Sequence, residues 1–254
     1  MVLSLYFQNP AWSCAWDINH PNYMYAGLQN GTLLVYDMRH TVHPVQSIPG
    51  LESRPIHTIH PLAHDTSHPQ TVTQLLTASS ADPCLWNINS KMEKLFKVPE
   101  LANMEASCTS LAYGCSTTSE NIIATYKPKI QGTDSARNRE SSLINGFAPS
   151  SVLHVQRVRS SFYFKLGSTS AQLGDVGMVK STIINVDNCP PMFAYGHDVS
   201  NGLKLLKIPS LAVAQSLKPH QHPVVDVKYS RSQGSCVLGC ISEDKLQLFS
   251  AKVL

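Results

Sequence analysis

No two cysteines in this sequence are spaced Cys-x-x-Cys, so neither a zinc ribbon nor a RING finger is expected within it. Charge is scarce as well. Asp, Glu, Lys and Arg make up 15% of the 254 residues, and the net charge is +3 with an isoelectric point near 8.4. A field that weak does not argue for direct nucleic-acid contact. No stretch approaches the roughly 18 apolar residues that cross a bilayer as a helix, so no membrane partner is expected. Residues 1–7 carry no basic flank and no cleavage signature, so they read as a strand rather than a secretion signal, and an intracellular protein is expected. Also missing are a nucleophile elbow, a Gly-rich phosphate loop and locally paired carboxylates. Gly174-Asp175-Val176-Gly177 lacks the strand–turn–helix context of a nucleotide site and reads as a loop. No catalytic residue and no cofactor-binding or metal-binding residue is assigned.

What the sequence does have is 43% hydrophobic residues, enough for an ordinary packed core. Its seven cysteines are scattered through apolar strand patterns and read as reduced, buried small hydrophobes. Cys236 and Cys240 are four apart on one strand, sharing a face but too far apart to bond.

The densest pattern is Trp12 to Arg39, AWSCAWDINHPNYMYAGLQNGTLLVYDMR with its preceding alanine. Trp12–Asp17 and Tyr23–Gly27 alternate bulky and small residues, and Gln29-Asn30-Gly31 turns into Thr32–Asp37. Asn-Gly between alternating runs is a strong hairpin signal, because both central residues of the favoured two-residue turn need positive φ. Three strands closing on an aromatic-Asp pair outline one propeller blade.

The outline recurs. Pro44–Ile48 supplies a fourth strand to the first blade (about 11–50). A second (54–98) has Pro55–His60, Val72–Ala78, Cys84–Ile88 and Glu93–Val98, with Trp86 in the place of Tyr36; Pro99–Ala106 then reads as a helical turn. A third (107–167) has Ser107–Tyr113, Ile122–Tyr126, Val152–Val158 and Phe162–Leu166, interrupted by a polar insertion at 127–150. A fourth (180–218) includes a turn at Ser200-Asn201-Gly202, and a fifth (223–251) has three strands. First strands begin near 12, 55, 107, 181 and 224, giving spacings of 43, 52, 74 and 43. Propeller repeats run about 40–45 residues, and the insertion accounts for most of the long gap. His220-x3-Val224-x2-Val227-x-Tyr229-Ser230 has the spacing of a WD-repeat inner strand with its leading histidine.

The expected fold class is therefore all-β, a WD-repeat β-propeller in one domain with about five blades. Such blades bury both faces against neighbours, as Ile122-Ile123-Ala124 suggests, and cannot fold singly. Four full blades and a three-stranded fifth leave Val2–Phe7 as a spare strand. It either belongs to a preceding blade or latches the last one to close a ring.

Three constellations are candidate sites. His57, His60, His64 and His68 are spaced H-x2-H-x3-H-x3-H, but Pro61, Pro69 and the strand pattern read them as a polar inter-strand loop rather than a metal site. Lys127, Lys129, Arg137 and Arg139 lie in the insertion, with Arg157, Arg159 and Lys165 just beyond. They form either a solvated loop or a basic contact for an acidic partner or a nucleic-acid backbone. Tyr36-Asp37-Met38-Arg39 is structural in one reading, its aromatic filling the space between blades and its aspartate capping a turn. In the other, Tyr36, Asp37 and Arg39 resemble the box by which WD-repeat substrate receptors dock onto the damage-binding adaptor of cullin ligases, with Tyr in place of Trp.

PAWSCAWD (10–17) and YMYAGLQNGTLLVYDMR (23–39), with IIATYKP (122–128) more loosely, carry a closer likeness. Together they resemble the carboxy-terminal WD-repeat region of the RING-finger and WD-repeat E3 ubiquitin ligases that act on replication protein A. That resemblance implies a nuclear protein-binding module in DNA-damage signalling and interstrand crosslink repair, with replication protein A as its protein partner. The ubiquitin-charged E2 and the zinc would belong to a RING that this sequence lacks, so no catalysis is expected of the chain itself. Because the family closes with more than five blades, earlier blades are expected to be missing. Other readings are a cullin-ligase substrate receptor and a propeller scaffold unrelated to ubiquitin.

Overall fold

The computed structural model describes residues 5–50, 53–63, 73–88, 94–97, 106–115, 120–128, 150–158, 162–171, 180–186, 189–197, 200–232 and 235–251. All regular structure among them is antiparallel β, and no helix is long and apolar enough to cross a membrane. The strands follow chain order in five meander sheets. The first contains β1 (Ala11–Trp16), β2 (Tyr23–Leu28), β3 (Leu33–Asp37) and β4 (Gln46–Ile48). The second contains β5 (Ile56–Leu62), β6 (Thr73–Ser79), β7 (Pro83–Ile88) and β8 (Lys94–Lys97). The third is longer, with β9 (Ala106–Cys115), β10 (Glu120–Pro128), β11 (Ser150–Val158) and β12 (Phe162–Ala171). The fourth contains β13 (Ser181–Ile184), β14 (Met192–His197), β15 (Gly202–Lys207) and β16 (Val213–Ser216), and the last has only β17 (Asp226–Ser232), β18 (Ser235–Ile241) and β19 (Leu246–Ala251). Five consecutive meanders, four of four strands and one of three, are the blades of the expected fold class.

The chain divides into two compact units: Met1–Met104 with Val158–Tyr163, and Glu105–Arg157 with Phe164–Leu254. In the first unit, Asp17 organises the link from β1 to β2. Its carboxylate accepts the Asn19 backbone N–H (2.7 Å), the His20 N–H (3.2 Å) and the Tyr25 hydroxyl (2.5 Å). The β2–β3 turn differs from the expected two-residue form. Leu28 N–H donates to Thr32 O (2.9 Å) and Gly31 N–H to Leu28 O (3.1 Å), and only Gly31 has positive φ (81°). This is a three-residue loop with the glycine in the left-handed position, so Asn30 is spared that conformation and instead accepts the Thr32 N–H.

The first two sheets meet through Tyr25, Leu33, Val35 and Ile48 on one side and Ile56, Ile59, Leu75 and Trp86 on the other. The approach is close at Gly27, where a Cβ would lie 2.8 Å from the Ile56 side chain. Ser13 Oγ donates to Ile56 O (2.6 Å) and Asn19 Nδ2 to Leu62 O (2.9 Å), which fixes the register between the sheets. On the opposite face of the first sheet, Leu5 and Phe7 pack against Ala26, Leu28, Leu34 and Tyr36. Residues 5–7 pair with no strand, so the described part of the expected latch is an apolar cover on the first sheet. Residues 1–4 lie outside the described set, as do 99–105 of the expected helical turn; Ala106 already belongs to β9.

In the second unit, Ile122, Ile123 and Ala124 are all fully buried, the two-faced burial their pattern implies. The third and fourth sheets share a core of Ala112, Ile123, Val152, Ile183, Phe193 and Leu206, tied by a 2.6 Å Ser110–Ser181 hydroxyl pair. The fourth and last sheets share another, built from Ile184, Leu205, Val227, Leu238 and Cys240, with Tyr229 Oη donating to Asn185 O (2.6 Å). The cysteines divide more evenly than expected. Cys108, Cys236 and Cys240 are buried, Cys84 is partly buried, and Cys14, Cys115 and Cys189 are exposed with no disulfide among the seven. Cys14 is exposed because the outer face of β1, which also carries Trp12 and Trp16, is only partly covered.

The Gly27 approach yields a stability prediction. Gly27→Val must push Ile56 and strand β5 away, so it should lower unfolding stability by about 1–3 kcal/mol, the usual cost of overpacking. Denaturant titration followed by tryptophan fluorescence checks this, and an unchanged midpoint would contradict it.

Candidate functional site

Tyr36 and Asp37 end β3, and their side chains alternate across the strand as period two requires. Tyr36 is 5% exposed and meets Phe7 edge-on, with ring centroids 6.0 Å apart. Asp37 points into the turn that follows. Its Oδ1 accepts the backbone N–H of Arg39 (2.9 Å) and Arg39 Nε–H (2.9 Å), while its Oδ2 accepts Arg39 Nη2–H (2.6 Å). His40 N–H closes the turn on Asp37 O (2.8 Å). The aspartate therefore caps the turn and holds the guanidinium in a two-point fork. Hydrogen bonds from Arg39 hold the Asp37 carboxyl down at about 2, and the same pairing raises the guanidinium.

The Arg39 side chain nonetheless stays 60% exposed. The β3–β4 loop continues with exposed His40, Val42, His43 and Val45, Val42 being 84% exposed. The result is a short mixed surface of fixed donors and apolar side chains on a clamped base. Its pair is neutral overall, so it can supply directional hydrogen bonds but little long-range attraction for an acidic partner.

Arg157 stands elsewhere. It faces Glu120 across the β10–β11 ladder, its Nη1 donates to Glu120 Oε2 (2.9 Å), and its side chain is 4% exposed. The guanidinium is spent inside the sheet and is not available to a partner surface. Arg137, Arg139, Lys129 and Arg159 lie outside the described residues; Lys127 is half-buried at the end of β10, and Lys165 is exposed on β12. The histidine run is likewise divided. His57 is buried with Nδ1 2.9 Å from Thr58 Oγ1, His60 is half-buried, and His64 and His68 are outside the described set. Among the described residues no three His, Cys, Asp or Glu side chains are grouped to hold a metal ion.

One cluster has the composition of a nucleophilic site. His220 Nδ1 lies 2.8 Å from Ser242 Oγ, which donates to Asp244 Oδ1 (3.0 Å), and His220 Nε2 lies 3.1 Å from Cys240 Sγ. Its wiring is wrong for acyl transfer, because the serine sits between base and carboxylate, whereas a triad places the base in the middle. Burial also pushes the Cys240 thiol up and the His220 imidazole down, away from a thiolate–imidazolium pair. This is a strap from the segment before β17 to the β18–β19 turn. Its histidine is legible in the repeat spacing; Ser242 and Asp244 are recognisable only once the turn is placed.

A small open cleft in the first unit is lined by the β2–β3 turn at Gly31, by Gly50 and Arg54, and by Ser79, Ala81, Asp82 and Cys84 of the second sheet. Trp86, whose Nε1 donates to Thr77 Oγ1 (2.6 Å), forms part of its floor. No signal in the sequence singles it out, since its walls come from three separate turns.

A model of the E3 ubiquitin-protein ligase RFWD3 WD40 domain matches residues 1–250. E3 ubiquitin-protein ligase RFWD3 of Ailuropoda melanoleuca is 25% identical over 245 residues, covering 94% of this chain and 30% of that protein. The Homo sapiens protein of the same name is 49% identical over 45 residues (18% of this chain, 6% of that protein), and the Mus musculus one is 46% identical over 39 residues (15% and 5%). The chain spans less than a third of the length of the curated relatives it matches.

Two titrations follow from the geometry. In Arg39→Gln the Asp37 carboxyl should move from about 2 toward the ordinary carboxylate value near 3.9, visible in a carboxyl-carbon NMR titration. Because the folded value is depressed, the clamp's contribution is full above about pH 4 and is lost as pH falls through about 2. His154 behaves oppositely. It is fully buried, hydrogen-bonded to Asn121 Oδ1 at 2.9 Å, and its imidazole is pushed down by burial. Below about pH 6.5 the unfolded chain takes up a proton that the folded chain resists, so stability should fall from pH 7 to pH 5. Denaturant midpoints across that range should show a shallower slope in His154→Gln; an equal slope would assign the dependence to other groups.

Proposed function

Because this chain belongs to the E3 ubiquitin-protein ligase RFWD3 WD40-domain family, we propose that it is the substrate-recognition module of a nuclear RING-type ubiquitin ligase acting in the DNA-damage response and in interstrand crosslink repair. The observation that carries this reading is the family match across residues 1–250, which takes in all five sheets. On this reading the chain binds replication protein A by surface complementarity and presents it for ubiquitin transfer. Transfer itself belongs to a RING with its zinc and its E2, and the chain holds no cofactor of its own. The physical character of the described surface supports a binding role. Among the described residues the nucleophile-like cluster is wired as a strap, and the exposed features are turns and strands carrying aromatic, aliphatic and guanidinium groups.

A second reading, docking onto the adaptor of a cullin ligase, draws on the Asp37–Arg39 clamp. A guanidinium held by two bonds yet 60% exposed is preorganised to meet a partner's carbonyls or carboxylates.

Pull-downs with purified components test the two readings together. The chain should retain replication protein A with no adaptor present, and Arg39→Ala should change that retention by no more than about threefold, as expected for a group outside the hot spot. Failure to retain replication protein A removes the first reading. Retention of the cullin adaptor that disappears in Arg39→Ala establishes the second.

A further inference from the structure

Outer strands of three sheets are short: Gln46–Ile48 has three residues, and Lys94–Lys97 and Val213–Ser216 have four each. Shortness is a common way to blunt a sheet edge, because it leaves few unpaired N–H and C=O groups. The outer strand of the third sheet departs furthest from that pattern, with ten residues against six in β19 of the last sheet. Strand β12 has ten residues, FYFKLGSTSA, and stands at the end of the order β12-β11-β10-β9.

Between Phe164 and Ser170 its two faces differ. At Gly167 a Cβ would lie 3.6 Å from Pro209 O and 3.9 Å from Leu211 Cδ1, so that face is seated on the β15–β16 turn of the next sheet. Phe164, Leu166, Ser168 and Ser170 share the other face and are all exposed, Phe164 by 54% and Leu166 by 46%. No backbone hydrogen bond from the turns and loops of the described residues reaches this stretch. Lys165 is its only charge, and it contains no proline to spoil an incoming ladder.

We propose that the outer edge of β12 from Phe164 to Ser170 is a β-augmentation site, taking an extended peptide segment of a partner protein as a fifth strand of this sheet. In this mode the main-chain ladder supplies affinity and alternate side chains supply choice. Phe164 and Leu166, about 7 Å apart on one face, call for apolar residues at alternate positions of the guest. Lys165 points to the other face and favours an acidic residue between them. The ligand class is thus a stretch of unfolded chain with the pattern apolar–acidic–apolar, which ordinary disordered segments can present. The proposal goes beyond the ligase reading and does not depend on which protein supplies the segment.

The probe is the acetylated, amidated heptapeptide Thr-Val-Glu-Val-Glu-Val-Thr, in three forms: unmodified, N-methylated at the three valines, and N-methylated at the two glutamates. Alternate N–H groups of a strand point to opposite edges, so one methylated form blocks the ladder and the other leaves it intact. The unmodified peptide should shift backbone amide signals of Phe164–Ser170, and one methylated form should bind at least about tenfold more weakly while the other stays within about threefold. Phe164→Ser with Leu166→Ser, both at exposed positions, should weaken the unmodified peptide by about tenfold without changing the denaturation midpoint. No shift at Phe164–Ser170 up to about 1 mM peptide, equal binding of the two methylated forms, or undiminished binding to the double variant would each overturn the proposal. Any of these results leaves retention of replication protein A a separate question.

Discussion

Within each unit, neighbouring sheets bury apolar faces against one another, and that requirement shapes nearly everything else. It explains the complete burial of Ile122, Ile123 and Ala124 in succession, which no half-solvated sheet would tolerate. It explains why Gly27 has no side chain where Ile56 enters, and why the contacts between successive sheets include directed bonds such as Ser13 to Ile56 O and Tyr229 to Asn185 O. Apolar packing supplies the driving force, but it is non-directional; the hydroxyl bonds select one register. Several of the polar groups inside are matched to one another: Arg157 with Glu120, Asn121 with His154, Ser242 with His220.

A core packed this way leaves function to turns, loops and edges. The Asp37–Arg39 clamp shows how a turn becomes a recognition element without a strong field. Pairing cancels the charge but fixes the guanidinium plane, and fixing it removes much of the entropy that a free arginine would lose on binding. A mildly basic WD40-family chain with so few charges is better suited to shape and hydrogen-bond recognition than to electrostatic capture.

How much of this was legible follows from which interactions are local. Alternation of side chains is local, so the strands and the division into five meanders can be read from the residues. The Trp12–Arg39 pattern places β1 to β3 within a residue or two. Pairing partners far apart in sequence are not legible. Arg157 looks like a surface cation beside a basic insertion, and only the β10–β11 register, which sets it opposite Glu120, takes it inside. The same holds for Leu5 and Phe7, whose alternation suggests a strand but whose side chains cover Tyr36 instead. Strand β12 outruns its expected end at Leu166 because Gly-Ser-Thr-Ser has the composition of a loop. Its ladder with β11 overrides that propensity.

The irregular repeat spacing and the long edge of β12 have a common origin. Strands β9 to β12 run nine or ten residues, against three to seven in the other four sheets, and the residues that stretch the period lie between β10 and β11. A hairpin lengthened at its turn end carries extra N–H and C=O groups that must be paired wherever water is excluded, so both flanking strands lengthen with it. On the inner side β9 meets that need. On the outer side β12 pairs with β11 and in doing so moves the unpaired row outward by one strand, to a place where nothing among the described residues shortens or caps it. The insertion therefore does more than interrupt a repeat. It gives the third sheet the longest outer strand of the five, ten residues against three to six in the others.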